Sequence, residues 1–447
     1  MASRRVVVTG LGVASPVGLG IESFWDALIQ KRCGLRPIES FDASGVLPSV
    51  GGELPPFQLS DFIPKAYRKS AKVMSRDITI AVICAYHAVR DAKLNTRCMV
   101  ERGEATGTAT VDGARFGANI GAGLVSADLD ELAGALATAT NEDGAFSLER
   151  WGREGMNNLT PLWLLKFLPN MLACHVTIVH DAQGPSNTIT CGEASSHLAI
   201  GEAFRTIVRG DADVCVCGGG ESRVNPTAFA HQYLHPFINP DAGGAPERSV
   251  RPFSASRSGM LLSEGGGLII LESLEHARSR GARVYAELVG FGAATNTTSW
   301  DQPDPAGRAV ALALKKAIRN AGSSLDRIDL AVPFAYGTIE HDASEMNGWN
   351  QALGDRLNKI PALTTRGTMG VGGAGSGAMD FGAMVMALYN NTLPPSLNTE
   401  DPDPACRFRF VQNDPIDAPI REALTLGYSM FGGQCAALLV RRFEESF

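Results

Sequence analysis

Gly184-Pro185-Ser186-Asn187-Thr188-Ile189-Thr190-Cys191-Gly192-Glu193-Ala194-Ser195-Ser196-His197 decides how this chain is read. A β-branched run, a small turn and then a helix rich in small residues make an elbow. Such an elbow presents one side chain at a helix N-terminus, where unpaired N–H groups stabilise negative charge. Elbows of this kind usually hold a serine or cysteine nucleophile. Here the presented residue is Glu193. Cys191 lies upstream on the strand side of the turn, so its thiol reaches the same place only if the elbow slips by two residues.

Outward from the elbow, short β-branched runs alternate with longer helical patterns, the sign of βαβ units around buried sheets. The pattern predicts strands at Val6 to Thr9, Val214 to Cys217, Gly265 to Glu272, Val284 to Gly290, Leu330 to Phe334 and Ala436 to Arg441. It predicts helices at Ile21 to Gln30, Ser75 to Ala92, Ala194 to Val208, Gly307 to Ala321 and Gly377 to Tyr389. Gly117 to Gly123 reads as a strand followed by a tight glycine turn, and His175 and His180 as caps of a strand over Val176 to Val179. Ala135 to Met156, rich in Gly, Ala, Asn and acidic residues, reads as an inserted loop or cap. Alternation along Val214 to Cys217 sends Cys215 and Cys217 to one face, as a buried structural pair.

The elbow resembles the active-site segment of the β-ketoacyl-acyl-carrier-protein synthases, with Gly201 and Gly210-Asp211-Ala212-Asp213-Val214 fixing the register. The resemblance covers nearly the whole chain: Val6 to Gly18 at the start, Arg251-Pro252-Phe253, Gly259 and Glu264-Gly265-Gly266-Gly267 after the elbow, and Phe431-Gly432-Gly433 near the end. It implies an α/β thiolase-like fold with two similar halves, 1–273 and 274–447, stacked as five αβαβα layers. It also implies that the neighbourhood of Ala135 to Met156 reaches a dimer interface lined by Pro161 to Met171.

Against that family the site is altered. Glu193 stands at the position of the cysteine, Tyr336 at that of the first histidine, Val371 at that of the second, and Arg366 at that of the lysine. A thiolate both attacks and leaves readily, whereas an acylated carboxylate is only a reactive anhydride. Valine neither donates nor accepts a proton, and arginine presents a planar fork that does not deprotonate. Ser429 replaces the family's gating phenylalanine and Met430 a glycine, reshaping the mouth formed with Phe431 and Thr338. The segment after Thr338 is two residues shorter than usual before Asp342-x-x-Glu345. Glu193 is expected to act as an internal plug, accepting N–H bonds that serve as an oxyanion hole in an active synthase; drift after loss of catalysis, or a surface charge, is the alternative.

Loss of the cysteine and both histidines resembles the chain-length factor of polyketide and aryl-polyene synthases, although that class usually has glutamine at the Glu193 position. The resemblance implies a catalytically silent partner of an active ketosynthase, forming a heterodimer and meeting acyl carrier protein. A divergent condensing or acyl-transfer enzyme using Glu193, Tyr336 or Cys191, and a homodimeric acyl-ligand or carrier-binding module, remain as alternatives.

The bulk numbers fit a cytoplasmic protein: 447 residues, 45% apolar, 19% charged and a formal net charge of -7, which argues against nonspecific nucleic-acid binding. Arg205, Arg209 and Arg223 are candidates for a local docking patch. No run of about twenty apolar residues suggests membrane insertion, and Met1 to Arg5 lead straight into a strand instead of a signal-peptide core. Nine scattered cysteines show no metal-ligand spacing, and neither a metal nor a cofactor is expected. Gly370-Val371-Gly372-Gly373-Ala374-Gly375 matches a dinucleotide-binding pattern, but no acidic residue stands at ribose distance and close packing explains the glycines. Gly10 and Gly12 read as a structural turn, His197 as a satisfied helix histidine, and Asp301, Asp304 and Glu340 as loop charges.

Overall fold

A computed structural model of the protein describes residues 4–45, 48–240 and 242–444. Met1 to Ser3, on which the expectation of a missing signal core partly draws, lie outside them. The first strand, Val6–Ser15, is buried along its whole length and is longer than its β-branched start suggests. It continues through Gly10 and Gly12 because the helix Arg76–Asp91 lies against them: a Cβ at Gly12 would collide with the Cys84 and Ala88 backbone. Those two glycines therefore sit inside a strand and form no turn. Ser75 caps that helix by accepting the Ile78 N–H at 3.3 Å.

Two runs of five strands follow the same course. In the first half the spatial order is Ser186–Ile189, Phe116–Ala122, Val214–Ser222, Glu264–Ser273, Val6–Ser15. In the second it is Pro361–Ala362, Ile328–Val332, Glu422–Tyr428, Gln434–Arg441, Ala286–Thr295. Numbered by appearance in each half, both read 3-2-4-5-1. The parallel and antiparallel pairings also match, parallel at the outer strands and antiparallel at the inner ones. The first strands of the halves pair antiparallel, Val6 with Leu288 and Val8 with Ala286, so the halves form one continuous twelve-stranded sheet.

The helices Ser195–Arg209 and Ser376–Asn390 touch strands of both halves and form the central layer. Arg76–Asp91 covers the outer face of the first half and Arg308–Asn320 that of the second. This is the five-layer thiolase-like arrangement. The Ser376–Asn390 helix is apolar nearly all round, as a helix between two sheets must be, because it is buried from Ser376 to Leu388. Cys215 and Cys217 share this inner core while Val214 and Val216 face outward, as alternation requires.

Three local expectations are corrected. His175 and His180 lie in the helix Met171–His180, not at the ends of a strand; the β-branched run is overridden by packing of Leu172, Ala173 and Val176 against the outer face of the first half. Ala135 to Met156, read as a loop or cap, is partly helical: it contains the end of the helix Leu129–Ala139 and the short helix Leu148–Arg153, which leaves the cap reading open. The glycines after Phe116 make no turn. Gly121 leaves room for the Ser195 and Ser196 backbone, and a Cβ at Gly123 would collide with the Glu221 carboxylate.

Candidate functional site

The elbow is made by Gly192, at φ +54°, packed under Ser429: a Cβ there would lie 2.5 Å from the Ser429 Oγ. Ser195 ties it down, its Oγ accepting the Cys191 N–H at 2.8 Å and donating to the Gly192 carbonyl at 2.6 Å. Glu193 then points inward and is 2% exposed. Its Oε1 takes a hydrogen bond from Arg223 Nη1 at 2.7 Å, and its Oε2 takes the Met430 backbone N–H at 3.0 Å. Burial pushes the carboxyl pKa up, but the Arg223 charge and the Met430 N–H outweigh it and hold the group below the ordinary glutamate range. Glu193 is an ionised carboxylate with a hydrogen bond to each oxygen. Its partners are thus an arginine and a distant loop, more than the helix-end amides expected from the elbow.

Arg223 corrects a second expectation. With 12% of its side chain exposed, it is held between Glu193 and Glu221, Nε to Glu221 Oε1 at 2.9 Å, instead of standing in a surface patch. The other candidates are also occupied: Arg205 lies over the Phe291 ring, and Arg209 pairs with Glu202 and Asp211.

The structure brings Tyr336, Val371 and Met430 into one apolar cluster with Phe431 packed against it. The Tyr336 hydroxyl donates to the Tyr428 carbonyl at 2.6 Å, and burial followed by the Glu193 charge drives its pKa well above the usual tyrosine value. Val371 is buried, its backbone bonded to Leu261 and Ser263. Arg366 is fully buried, pairs with Asp380, donates to the Phe334 and Gly370 carbonyls at 3.1 and 2.9 Å, and stacks over Phe334 at 4.8 Å. Ser429 Oγ donates to the Phe431 carbonyl at 2.7 Å, and Thr338 precedes the helix Ile339–Leu353. Cys191 is half-buried, and burial raises its pKa; no cation activates the thiol among the described residues.

His341 is a site residue to which no sequence motif points. It is buried beside Tyr336, with Nδ1 3.2 Å from Thr338 Oγ1 and Nε2 3.4 Å from the Met430 carbonyl. Its place three residues after Thr338, in the first turn of the helix Ile339–Leu353, is the signal that could have found it. Asp342 and Glu345 hold the turn before it, accepting the Gly337, Phe334 and Ala335 N–H groups; burial raises their pKa values to about 7 and about 8.

The glycine-rich loop has no free amides for a phosphate at two of its positions: Ala374 N–H is taken by Glu221 Oε2 at 2.6 Å and Gly372 N–H by Ser376 Oγ at 2.9 Å. His197 is buried, with Nε2 3.1 Å from Thr425 Oγ1, and burial lowers its pKa to about 3. Among the described residues its other ring nitrogen has no hydrogen-bond partner, so the satisfied reading holds for one nitrogen only. Asp304 is not a loose loop charge: it is 5% exposed and caps the helix Arg308–Asn320 through the Arg308 N–H at 3.1 Å.

The β-ketoacyl synthase N-terminal domain model matches residues 3–277 and the C-terminal domain model residues 285–400. The chain belongs to the β-ketoacyl synthase family. A relative within it is the 3-oxoacyl-[acyl-carrier-protein] synthase 2 of Synechocystis, 31% identical over 99% of each chain. Among solved structures, the ishigamide ketosynthase/chain length factor matches with a TM-score of 0.83 at 26% identity, covering 99% of this chain and 100% of that one. A type II polyketide acyl-carrier protein in complex with its hexaketide-bound ketosynthase, AntDE:AntF, matches with a TM-score of 0.80 at 25% identity and the same coverage. Among the described residues of this synthase-family chain, no helix is long and apolar enough to cross a membrane.

One buried acid behind the site gives a pH prediction. Asp77 accepts the Ser222 N–H at 3.1 Å and lies near Glu221; burial, then that charge, raises its pKa to about 8. The folded state therefore holds a proton that the unfolded state has lost above about pH 4, and stability falls as pH rises toward 8. Asp77→Asn should make urea-denaturation stability fall less steeply between pH 5 and 8, Asp342 and Glu345 supplying the slope that remains; an unchanged slope would show that Asp77 is ionised throughout.

Proposed function

We propose that this chain is a catalytically silent ketosynthase homologue that supports acyl-chain elongation in fatty-acid, polyketide or related lipid synthesis, as the chain-length-factor-like partner of an active synthase. One observation carries the reading: at the elbow, where a nucleophile would stand, the carboxylate of Glu193 is buried, charged and bonded through both oxygens. A carbonyl brought there would meet a weak nucleophile whose charge is already shared with Arg223 and the Met430 N–H. The groups around it offer no replacement, because the Tyr336 proton is held by a carbonyl and Val371 has none.

The 1–273 and 274–447 division follows the repeated strand order and is the second part of the proposal. The surface supports a partner. Strand Ser186–Ile189 is a free sheet edge, and Ile178, Leu162, Leu164 and Leu124 are large exposed apolar side chains in the elements around it and its neighbouring strand. The similarity to a ketosynthase/chain length factor and to a ketosynthase in complex with its acyl-carrier protein supports a cysteine-bearing synthase and an acyl carrier protein as the partners here.

The test is native mass of the chain alone and co-expressed with an intact Cys-His-His synthase encoded beside it, with elongation assayed on each preparation. A one-to-one complex that elongates only with both chains present is expected. A homodimer that elongates acyl carriers alone would overturn the reading.

A further inference from the structure

The links around Arg223 form one continuous bridge across the site. Ala374 N–H donates to Glu221 Oε2 at 2.6 Å, Glu221 Oε1 holds Arg223 Nε at 2.9 Å, Arg223 Nη1 holds Glu193 Oε1 at 2.7 Å, and Glu193 Oε2 holds Met430 N–H at 3.0 Å. The elbow, the strand end at Glu221, the loop 370–375 and the loop 429–433 are joined by side chains far apart in sequence. Room is kept for the bridge. Gly373, at φ +54°, would with a Cβ collide with the Glu221 carboxylate and lie 2.7 Å from Arg223 Nε, and Gly123 would collide with the same carboxylate. A guanidinium between two carboxylates suits this place because its fork serves both at fixed angles.

We propose that Arg223 is the positioning residue of the site: anchored by Glu221, it fixes Glu193 against the Met430 N–H and so keeps the elbow and the 429–433 loop shut on each other. The inference rests on the reading of Glu193 as a plug and names what holds the plug. Glu193 alone is joined to the elbow by a flexible side chain. Without Arg223, Glu193 and Glu221 would face each other as buried carboxylates with no cation between them, and one of them must take a proton or leave. The Met430 N–H then loses its charged acceptor, and the Ser429 side chain, which packs on Gly192, is freed from the elbow. Cys191, half-buried next to the turn, is the thiol this opening would uncover.

Iodoacetamide alkylation of the full chain, read peptide by peptide in a mass spectrometer, tests this at neutral pH. Half-buried Cys33, Cys174 and Cys406, outside the bridge, serve as internal controls. In Arg223→Met, Cys191 should react about tenfold faster while the controls stay within about twofold, as local opening at one site requires. Arg223→Lys, which keeps the charge, should recover most of the protection. Glu193→Gln retains the shape but puts an NH2 where one acceptor oxygen stood, so it keeps at most one of the two bonds to Arg223 and Met430; it should raise the rate about threefold and serves if Arg223→Met does not fold. The double variant should react no faster than Arg223→Met alone, because both changes cut one bridge. Unchanged Cys191 rates in both single variants would overturn the proposal. So would a parallel rise at all four cysteines, which would make Arg223 merely structural. Alkylation reads the bridge whether or not the chain supports elongation, so failure here is distinct from failure of the partner assay.

Discussion

Glu193→Cys will leave the isolated chain unable to condense acyl carriers, with turnover below about one-thousandth of that of an intact synthase, since lost acid–base groups each cost ~10²–10⁴-fold. The new thiol would sit near Arg223, whose charge favours a thiolate, so alkylation of position 193 should be fast. Acyl transfer to that thiol is the step most open to recovery. Condensation asks for more: donors to polarise the extender's thioester and stabilise the charge left by decarboxylation. Tyr336 spends its proton on the Tyr428 carbonyl, and Val371 offers only methyl groups. The measurement is product formation from acyl and malonyl carriers by mass spectrometry, alongside the acylated fraction of position 193. Acylation without elongation is the expected pair of results. Robust elongation from the single change would mean that Tyr336 or His341 supplies the missing proton chemistry.

The largest stability effect should come from Arg366→Met. Arg366 has no exposed surface; it pairs with Asp380 and donates to backbone carbonyls from the turn at Phe334 and the loop at Gly370. Burial already raises the Asp380 pKa, with Arg366 opposing it, so removing the arginine strands a carboxyl group in the apolar central layer. Breaking one side of such a buried pair costs ~3–5 kcal/mol, a large fraction of the ~5–15 kcal/mol that holds a typical domain. Urea denaturation should show that loss as a lowered midpoint with little change in slope. Replacing Asp380 as well, in Arg366→Met/Asp380→Leu, should restore most of it, because no charge is then left buried. A loss below ~1 kcal/mol for the single variant would show that Asp380 finds water or another partner on its own.

Much of the fold is legible in the sequence because local forces decide it. The helices Arg308–Asn320 and Ser376–Asn390 lie within a residue or two of where periodicity puts them. The failures have a common cause. Val176 to Val179 is β-branched, yet its apolar residues complete the core under the first half's sheet as a helix. Glycines at 10, 12, 121 and 123 suggest turns locally, but each stands in or beside a strand where a neighbouring backbone or carboxylate leaves no room for Cβ. Such packing is invisible to any reading that sees only near neighbours along the chain.

The same divide runs through the site. The sequence by itself singled out Glu193 at the elbow, through the spaced glycines around it, and set Tyr336, Val371 and Arg366 beside it by resemblance to the family's later motifs. It could not determine what Glu193 binds. Arg223 is thirty residues away and reads as one scattered surface arginine, while Met430 offers only a backbone N–H, which no residue identity reveals. The return of strand Val214–Ser222 beside the elbow and the approach of the Glu422–Tyr428 strand end from the other half set those groups within hydrogen-bond reach. Tertiary structure alone decided the protonation of the site, because a buried carboxylate is charged or neutral according to the groups the fold brings to it.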